Sequence, residues 1–275
     1  METYCVLGNP VEHSKSPWIH ARFAALTGQP MAYGKRLIAL DGFASAIAAL
    51  RAEGVKGCNI TVPFKFEAAP LASTLSARAL LAQACNVLTF GDHGIEADNT
   101  DGIGLVHDIT GNASTPIAGH EVLLLGAGGA AAGVLGPVLE CGPARLVVAN
   151  RSPERAQALV TRHADLARQL GVTLQACGLD GVPGAFDIVV NGTASSLSGT
   201  GVPVSAQVLR RGALAVDMMY GPAAQGFLDW AERHGAQPRD GLGMLVEQAA
   251  EAFSIWRGVR PPSAQVLDEL RGILA

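Results

Sequence analysis

Between Glu121 and Glu140 lie eighteen consecutive residues without a charge, Val122 to Leu139. A membrane-spanning helix needs ~20 predominantly apolar residues. This run is interrupted by Gly126, Gly128, Gly129, Gly133, Gly136 and Pro137, and much of the rest is Ala, so it is too weakly hydrophobic for lipid. It belongs instead in a protein interior. Val122–Leu125 reads as a buried strand, the glycines as a tight turn, and the remainder as a buried helix. A strand that turns directly into a helix points to an α/β architecture.

The rest of the chain agrees with a folded, soluble protein. Its 275 residues suit one large domain or two of ordinary size. With 49% hydrophobic and only 16% charged residues it can bury a sizeable core, which excludes intrinsic disorder. The 33 glycines show no three-residue period, which excludes collagen. A net charge of −4 without a Lys/Arg block leaves no electrostatic footprint for nucleic acid or an anionic membrane. Cys5, Cys58, Cys85, Cys141 and Cys177 are odd in number, far apart, and show no metal-ligand spacing. We read them as reduced, mostly buried thiols of a cytoplasmic protein. Glu2 follows Met1 and the apolar stretch Cys5–Leu7 is very short, so no signal peptide is expected and no metal site is assigned.

Strands and helices alternate along the chain. Thr3–Leu7, Lys35–Leu40, Gly57–Val62, Asn86–Phe90 and Gly94–Ala97 read as strands; Pro17–Leu26, Gly42–Ala52 and Ser76–Ala82 read as helices. Ser16 before Pro17 reads as a helix cap followed by the first helical residue. This alternation predicts a mainly parallel, helix-covered sheet. A second series has strands Val122–Leu125, Arg145–Ala149, Val172–Ala176, Phe186–Val190 and Leu214–Asp217. Helices Pro153–Leu170 and Gln225–His234 separate them, and the polar stretch 105–118 marks a boundary. Two further helices, Met244–Trp256 and Ser263–Leu274, have no strand to follow, and such helices often pack back on the first domain. The expected division is 1–104 plus 241–275 against 105–240.

Gly126-Ala127-Gly128-Gly129-Ala130 at a strand end and a helix start suits a dinucleotide pyrophosphate, because free N–H groups and the helix dipole favour anions there. An NAD site carries Asp or Glu ~20 residues further on, at the end of the next strand. Here that strand ends in Asn150-Arg151-Ser152, with Arg155 one turn later. Guanidiniums offer forked donors to phosphate oxygens, so a 2′-phosphate, and hence NADP(H), is favoured.

In the N-terminal part, Ser14 and Ser16 place two hydroxyls at a helix start, a small receptor suited to a carboxylate. The strand through Cys58-Asn59-Ile60-Thr61 delivers Lys65 just beyond a Pro63-Phe64 turn. A lone lysine in such a place is usually solvated. Asp101 lies just beyond the end of another strand, where ligands of open α/β sheets bind, and a Lys–Asp pair in a cleft can transfer a proton.

Taken in order, these motifs resemble the shikimate dehydrogenase family. They are Ser14-Lys-Ser16-Pro17, Asn59-Ile-Thr61-Val-Pro63-Phe64-Lys65, Asn99-Thr100-Asp101-Gly102, Gly126–Ala130, Asn150-Arg151-Ser152, and Asp240-Gly241 through Gln248. The resemblance implies an N-terminal open α/β substrate domain and a C-terminal Rossmann-like domain, with the terminal helices packing back on the first. It implies that Ser14 and Ser16 hold the substrate carboxylate, with Tyr220 helping from the second domain. Thr61, Asn86 and Gln248 would bind ring hydroxyls together with Lys65 and Asp101, and Lys65 would exchange the proton with Asp101 as its partner. Gly126, Ala127, Gly128, Gly129 and Ala130 would cradle the pyrophosphate, and Asn150, Arg151, Ser152 and Arg155 the 2′-phosphate. Met218 and Gly241 would lie near the nicotinamide.

The implied activity is reversible NADPH-dependent reduction of 3-dehydroshikimate to shikimate, by a monomer or homodimer acting on a small molecule. The alternatives are a quinate/shikimate dehydrogenase with broader substrate or NAD use, and a non-catalytic NADP- or shikimate-sensing module. Departures from the family pattern are Ala77 before Arg78, Ala131-Ala132 in place of a frequent Ser-Arg pair, and Gln225-Gly226 in place of Thr-Pro.

Overall fold

The computed structural model describes residues 1–193 and 201–274. The chain divides into two compact units, Met1–Gly104 with Leu245–Ala275, and Leu105–Met244. The chain returns to the first unit inside the helix Leu242–Arg257 rather than before it. Packing explains this: Gly241 lies against the Met218 carbonyl and Gly243 against the Asp108 carboxylate, with no room for a Cβ at either. Asp108 is buried and held by Arg239, whose guanidinium Nε donates to it at 2.6 Å.

The first unit holds a six-stranded sheet of β1 (Glu2–Gly8), β2 (Met31–Leu37), β3 (Gly57–Ile60), β4 (Thr74–Leu75), β5 (Val87–Gly91) and β6 (Gly94–Asp98). Its order is β2-β1-β3-β5-β6-β4. The sheet is mainly parallel, as expected, with one reversed strand: β5 runs antiparallel to both β3 and β6. Only Asp92 and His93 separate the paired Gly91 and Gly94, and so short a link can make a hairpin but not a crossover. Strand β2 begins earlier than its composition suggests and stops at Leu37, because it follows β1 residue for residue from Glu2↔Met31 to Gly8↔Leu37. The core under the sheet gathers Leu7, Ile47, Ile60, Phe64, Cys85 and Leu88. The helix Ser263–Leu274 lies against the helix Ser16–Thr27, where Arg22 Nε donates to Glu269 at 2.6 Å.

The second unit holds β7 (Glu121–Leu125), β8 (Arg145–Asn150), β9 (Thr173–Gly178), β10 (Phe186–Asn191), β11 (Leu209–Asp217) and β12 (Gln237–Arg239). The order is β12-β11-β10-β7-β8-β9 and every pairing is parallel. Helices Gly129–Glu140, Pro153–Leu170 and Gln225–Arg233 connect its strands. Strand β11 starts well before Leu214 because Arg210 donates to Asp187 at 2.6 Å and to Glu121 at 3.0 Å, which ties its polar beginning to the sheet. The uncharged run is thus strand β7, a turn, and a helix whose residues Ala131 to Leu139 are all buried. Among the described residues no helix is long and apolar enough to cross a membrane.

Candidate active site

In the first sheet β1, β3 and β6 share one direction and β5 the other. The segments leaving β1, β3 and β6 therefore emerge at the same edge as the residue entering β5. These four segments carry Ser14 and Ser16, Thr61 and Lys65, Asp101, and Asn86. The topology gathers residues that are far apart in sequence.

The serines behave differently from the capping pattern. The helix starts at Ser16 itself, and the Ser16 N–H donates to Ser14 Oγ at 3.3 Å. Ser14 thus takes the cap-like bond expected of Ser16. Thr61 is half-buried, and its carbonyl accepts from the Phe64 N–H at 3.1 Å to close the turn that leads to Lys65. Phe64 is fully buried and stacks on Phe43 with ring centroids 5.0 Å apart, so it anchors the residue before the lysine.

Lys65 Nζ donates to Asp101 Oδ2 at 2.5 Å, with the side chains only 13% and 6% exposed. This is a nearly desolvated ion pair, not a solvated surface lysine. Asp101 opens the helix Asp101–His107, and its N–H donates to Asn99 Oδ1 at 3.1 Å. Its other oxygen, Oδ1, accepts from Asn86 Nδ2 at 2.9 Å. The same Asn86 amide lies 3.0 Å from Thr100 Oγ1 and 3.2 Å from Gln248 Oε1, while Asn86 Oδ1 accepts from the Thr100 N–H at 2.7 Å. Gln248 is fixed in turn by donating from Nε2 to the Leu245 carbonyl at 2.8 Å. Lys65, Asp101, Asn86, Thr100 and Gln248 form one connected network.

Thr100 was legible only as part of a motif; its hydroxyl and N–H complete that network. Asp98 holds the segment from the other side. Burial opposes its ionisation, but the Arg78 guanidinium, the Ser76 hydroxyl and the Asn99 N–H together keep its carboxyl below the ordinary aspartate value. Arg78 grips Asp98 with two bonds of 2.7 and 2.8 Å and also reaches Glu251 at 3.1 Å, so this arginine is engaged in scaffolding despite Ala77 beside it.

In the second unit, Gly126 follows β7 with φ +108°, a left-handed value that a side chain resists, and a Cβ there would lie 2.9 Å from the Gly192 carbonyl. Gly128 caps the helix Gly129–Glu140, and among the described residues nothing lies within 4 Å of a Cβ built on it. Among the described residues this leaves space beside the helix N-terminus, whose N–H groups favour an anion. Asn150 ends β8 and donates from Nδ2 to the Ser152 carbonyl at 3.0 Å, shaping the turn beyond it. Arg151 and Arg155 are exposed beside it. A glycine turn followed by exposed guanidiniums at a strand end fits a dinucleotide bearing a 2′-phosphate. Met218 and Tyr220 are half-buried after β11, and the buried Gly241 N–H donates to the Met219 carbonyl at 2.8 Å.

Three family descriptions match successive parts of the chain. They are the shikimate dehydrogenase substrate binding domain over residues 6–88, shikimate / quinate 5-dehydrogenase over 108–210, and the shikimate 5'-dehydrogenase C-terminal domain over 241–271. A shikimate dehydrogenase (NADP(+)) of Acidovorax sp. strain JS42 is 64% identical over 275 residues, covering 100% of this chain and 97% of that one. The chain belongs to the shikimate dehydrogenase family. Among solved structures, an Ael1 enzyme from Pseudomonas putida superposes with a TM-score of 0.88 at 45% identity, covering 98% of both chains. The Thermus thermophilus shikimate 5-dehydrogenase in complex with NADP(H) and shikimate gives a TM-score of 0.84 at 28% identity over 100% of both chains. As in the family descriptions, the first unit of this shikimate dehydrogenase family member corresponds to the substrate-binding domain, and the second carries the Rossmann-like sheet.

Proposed function

We propose that this protein catalyses the reversible, NADPH-dependent reduction of 3-dehydroshikimate to shikimate, in the cytoplasmic route to chorismate and the aromatic amino acids. The observation that carries the reading is the Lys65–Asp101 pair, 2.5 Å apart and nearly buried at the sheet edge beside Asn86 and Gln248.

NADP(H), when bound, supplies or accepts the hydride at the ring carbon. The protein's own residues do the rest. Ser14 and Ser16 hold the substrate carboxylate through their hydroxyls, and Tyr220 contributes a phenol. Thr61, Asn86 and Gln248 bind ring hydroxyls. An ammonium has three N–H donors, and only one of those on Lys65 is needed for Asp101. Another is free to meet the ring oxygen and to give up its proton as the carbonyl becomes an alkoxide; in the reverse direction the amine takes the proton back. Asp101 keeps Nζ in place and balances its charge, while Asn86 fixes the other carboxylate oxygen. Gly126, Ala127, Gly128, Gly129 and Ala130 receive the pyrophosphate. Asn150, Arg151, Ser152 and Arg155 receive the 2′-phosphate, and Met218 and Gly241 flank the nicotinamide.

The test is a comparison of initial rates with shikimate and quinate, each with NADP and NAD. Fast oxidation of shikimate with NADP and poor use of the other three pairs is the expected result. Equal rates with quinate, or with NAD, make the protein a quinate/shikimate dehydrogenase of broad use. Binding of NADP and shikimate without turnover makes it a sensor.

A further inference from the structure

Asn191 and Asp217 end the neighbouring strands β10 and β11, stand opposite each other in register, and are both buried. No role in the proposed chemistry falls to either. Asn191 Nδ2 donates to Asp217 Oδ2 at 3.0 Å. The remaining oxygens reach the loops beyond the strands. Asn191 Oδ1 accepts from the Thr193 N–H at 3.2 Å and from its hydroxyl at 2.7 Å, and Asp217 Oδ1 accepts from the Met219 N–H at 2.8 Å. Backbone bonds tie the same loops together. The Met218 N–H donates to the Asn191 carbonyl at 3.0 Å, and the Gly192 N–H to the Leu125 carbonyl at 2.8 Å. Packing is tight: a Cβ on Gly192 would lie 3.1 Å from Met218 Sδ, and one on Gly126 would lie 2.9 Å from the Gly192 carbonyl.

Burying a carboxylate and an amide costs solvation that an apolar pair would not. What they supply in return is direction, because each bond fixes one loop at one orientation. The chain of contacts runs from the glycine turn at Gly126, through Gly192, to Met218 and Gly241. We propose that Asn191 and Asp217 are a positioning pair that sets Met218 and its loop relative to the glycine turn, and so places the nicotinamide end of the dinucleotide without touching it. This rests on the reading that Gly126–Ala130 hold the pyrophosphate and that Met218 and Gly241 flank the nicotinamide.

The bonding pattern gives a test by exchange. An amide at 217 has a single oxygen, so Asp217→Asn can keep the Asn191 bond or the Met219 bond but not both. Asn191→Asp sets two carboxylates face to face. The exchange Asn191→Asp/Asp217→Asn restores each of the bonds named above, with the donor now on the other strand. Each single variant should raise the KM for NADP about tenfold, at the lower end of the ~10–150-fold that one charge-assisted hydrogen bond represents. Affinity for adenosine 2′,5′-bisphosphate, which occupies only the adenosine end, should stay within about twofold, and the exchange should return the KM to within about threefold of wild type. Thr193→Val removes one of these bonds without altering a buried charge and should give a smaller rise of about 2–12-fold if the singles do not fold.

Parallel loss of NADP and of the adenosine fragment would reduce the pair to general scaffolding and overturn the proposal. So would an unchanged KM in Asp217→Asn and Thr193→Val, or failure of the exchange to rescue. Met218→Ala separates the two readings. If it changes neither KM nor kcat, the placement of the nicotinamide is wrong; if it changes them while Asp217→Asn does not, the pair alone is refuted.

Discussion

Asp101→Asn isolates the charge of the ion pair while keeping its shape. Asn can still accept from Asn86 through one oxygen, preserving the 2.9 Å bond, but it then turns its NH2 toward Lys65 Nζ, which stands 2.5 Å from the carboxylate in the wild type. Donor would face donor. Lys65 has 13% of its side chain exposed, so it can regain only part of its solvation in place. Removing one partner of a buried pair typically costs about 3–5 kcal/mol; partial access to water puts this variant at the lower end. The ammonium also leaves the position from which it is proposed to meet the ring oxygen. Positioned acid–base groups contribute about 10²–10⁴-fold to rate, so kcat for shikimate oxidation, followed by NADPH absorbance, should fall by ~10² or more. The KM for NADP should change little, because the residues proposed to hold the dinucleotide lie in the other unit. Lys65→Met/Asp101→Asn replaces the pair by neutral groups of similar volume, so thermal stability should recover relative to Asp101→Asn while turnover stays lost. Near-normal kcat in Asp101→Asn, or measurable wild-type-like turnover in the double variant, would refute the proton-transfer role.

Arg151→Ala should raise the KM for NADP by about 10–150-fold and leave that for NAD nearly unchanged; a parallel rise in both would remove the 2′-phosphate role. Ser14→Ala should raise the KM for shikimate about tenfold or more and also lower thermal stability by ~1 kcal/mol, since Ser14 rather than Ser16 takes the helix-start bond. An analogue without a carboxylate should bind wild type and Ser14→Ala alike, and equal losses for both ligands would count against the receptor. His20 is fully buried, stacked 4.1 Å from Tyr33, and burial pushes its imidazole down to about 3, only slightly opposed by Asn59. Below its unfolded value of 6.5 the unfolded chain binds a proton that the folded one does not, so stability is full above that value and falls as the pH drops toward 3. At about pH 5 the deficit is ~2 kcal/mol, which His20→Phe should abolish; an identical acid slope of urea-unfolding stability in the variant would show that His20 is not its source. Asp98 acts at lower pH: with its carboxyl held below 3.8, its contribution is present above that value and lost as the pH falls through the depressed one. Arg78→Met should flatten that part of the curve.

The sequence determined what depends on local pattern. The strand–glycine–helix unit at Val122–Leu139 and the limits of helices Pro153–Leu170 and Ser263–Leu274 were legible, and Lys65, Asp101 and Arg151 stood out as candidates, because periodicity, turn residues and side-chain type are local properties. The family resemblance supplied the substrate. Short strands such as Thr74–Leu75 and Gln237–Arg239 were not legible, since two or three residues show no period. The antiparallel course of β5 and the early start of β2 were set by partners: a two-residue hairpin in one case, the β1 ladder in the other. Ser14 rather than Ser16 takes the bond at the helix start because the helix begins one residue earlier than Pro17 suggested. The most consequential decisions belong to tertiary structure alone. Lys65 stands 36 residues from Asp101 and becomes a desolvated partner only because β3 and β6 end at the same sheet edge. Asn191 and Asp217, 26 residues apart, meet only because β10 and β11 pair in parallel register. Burial and register are properties of the packed sheet, and a residue's neighbours along the chain do not contain them.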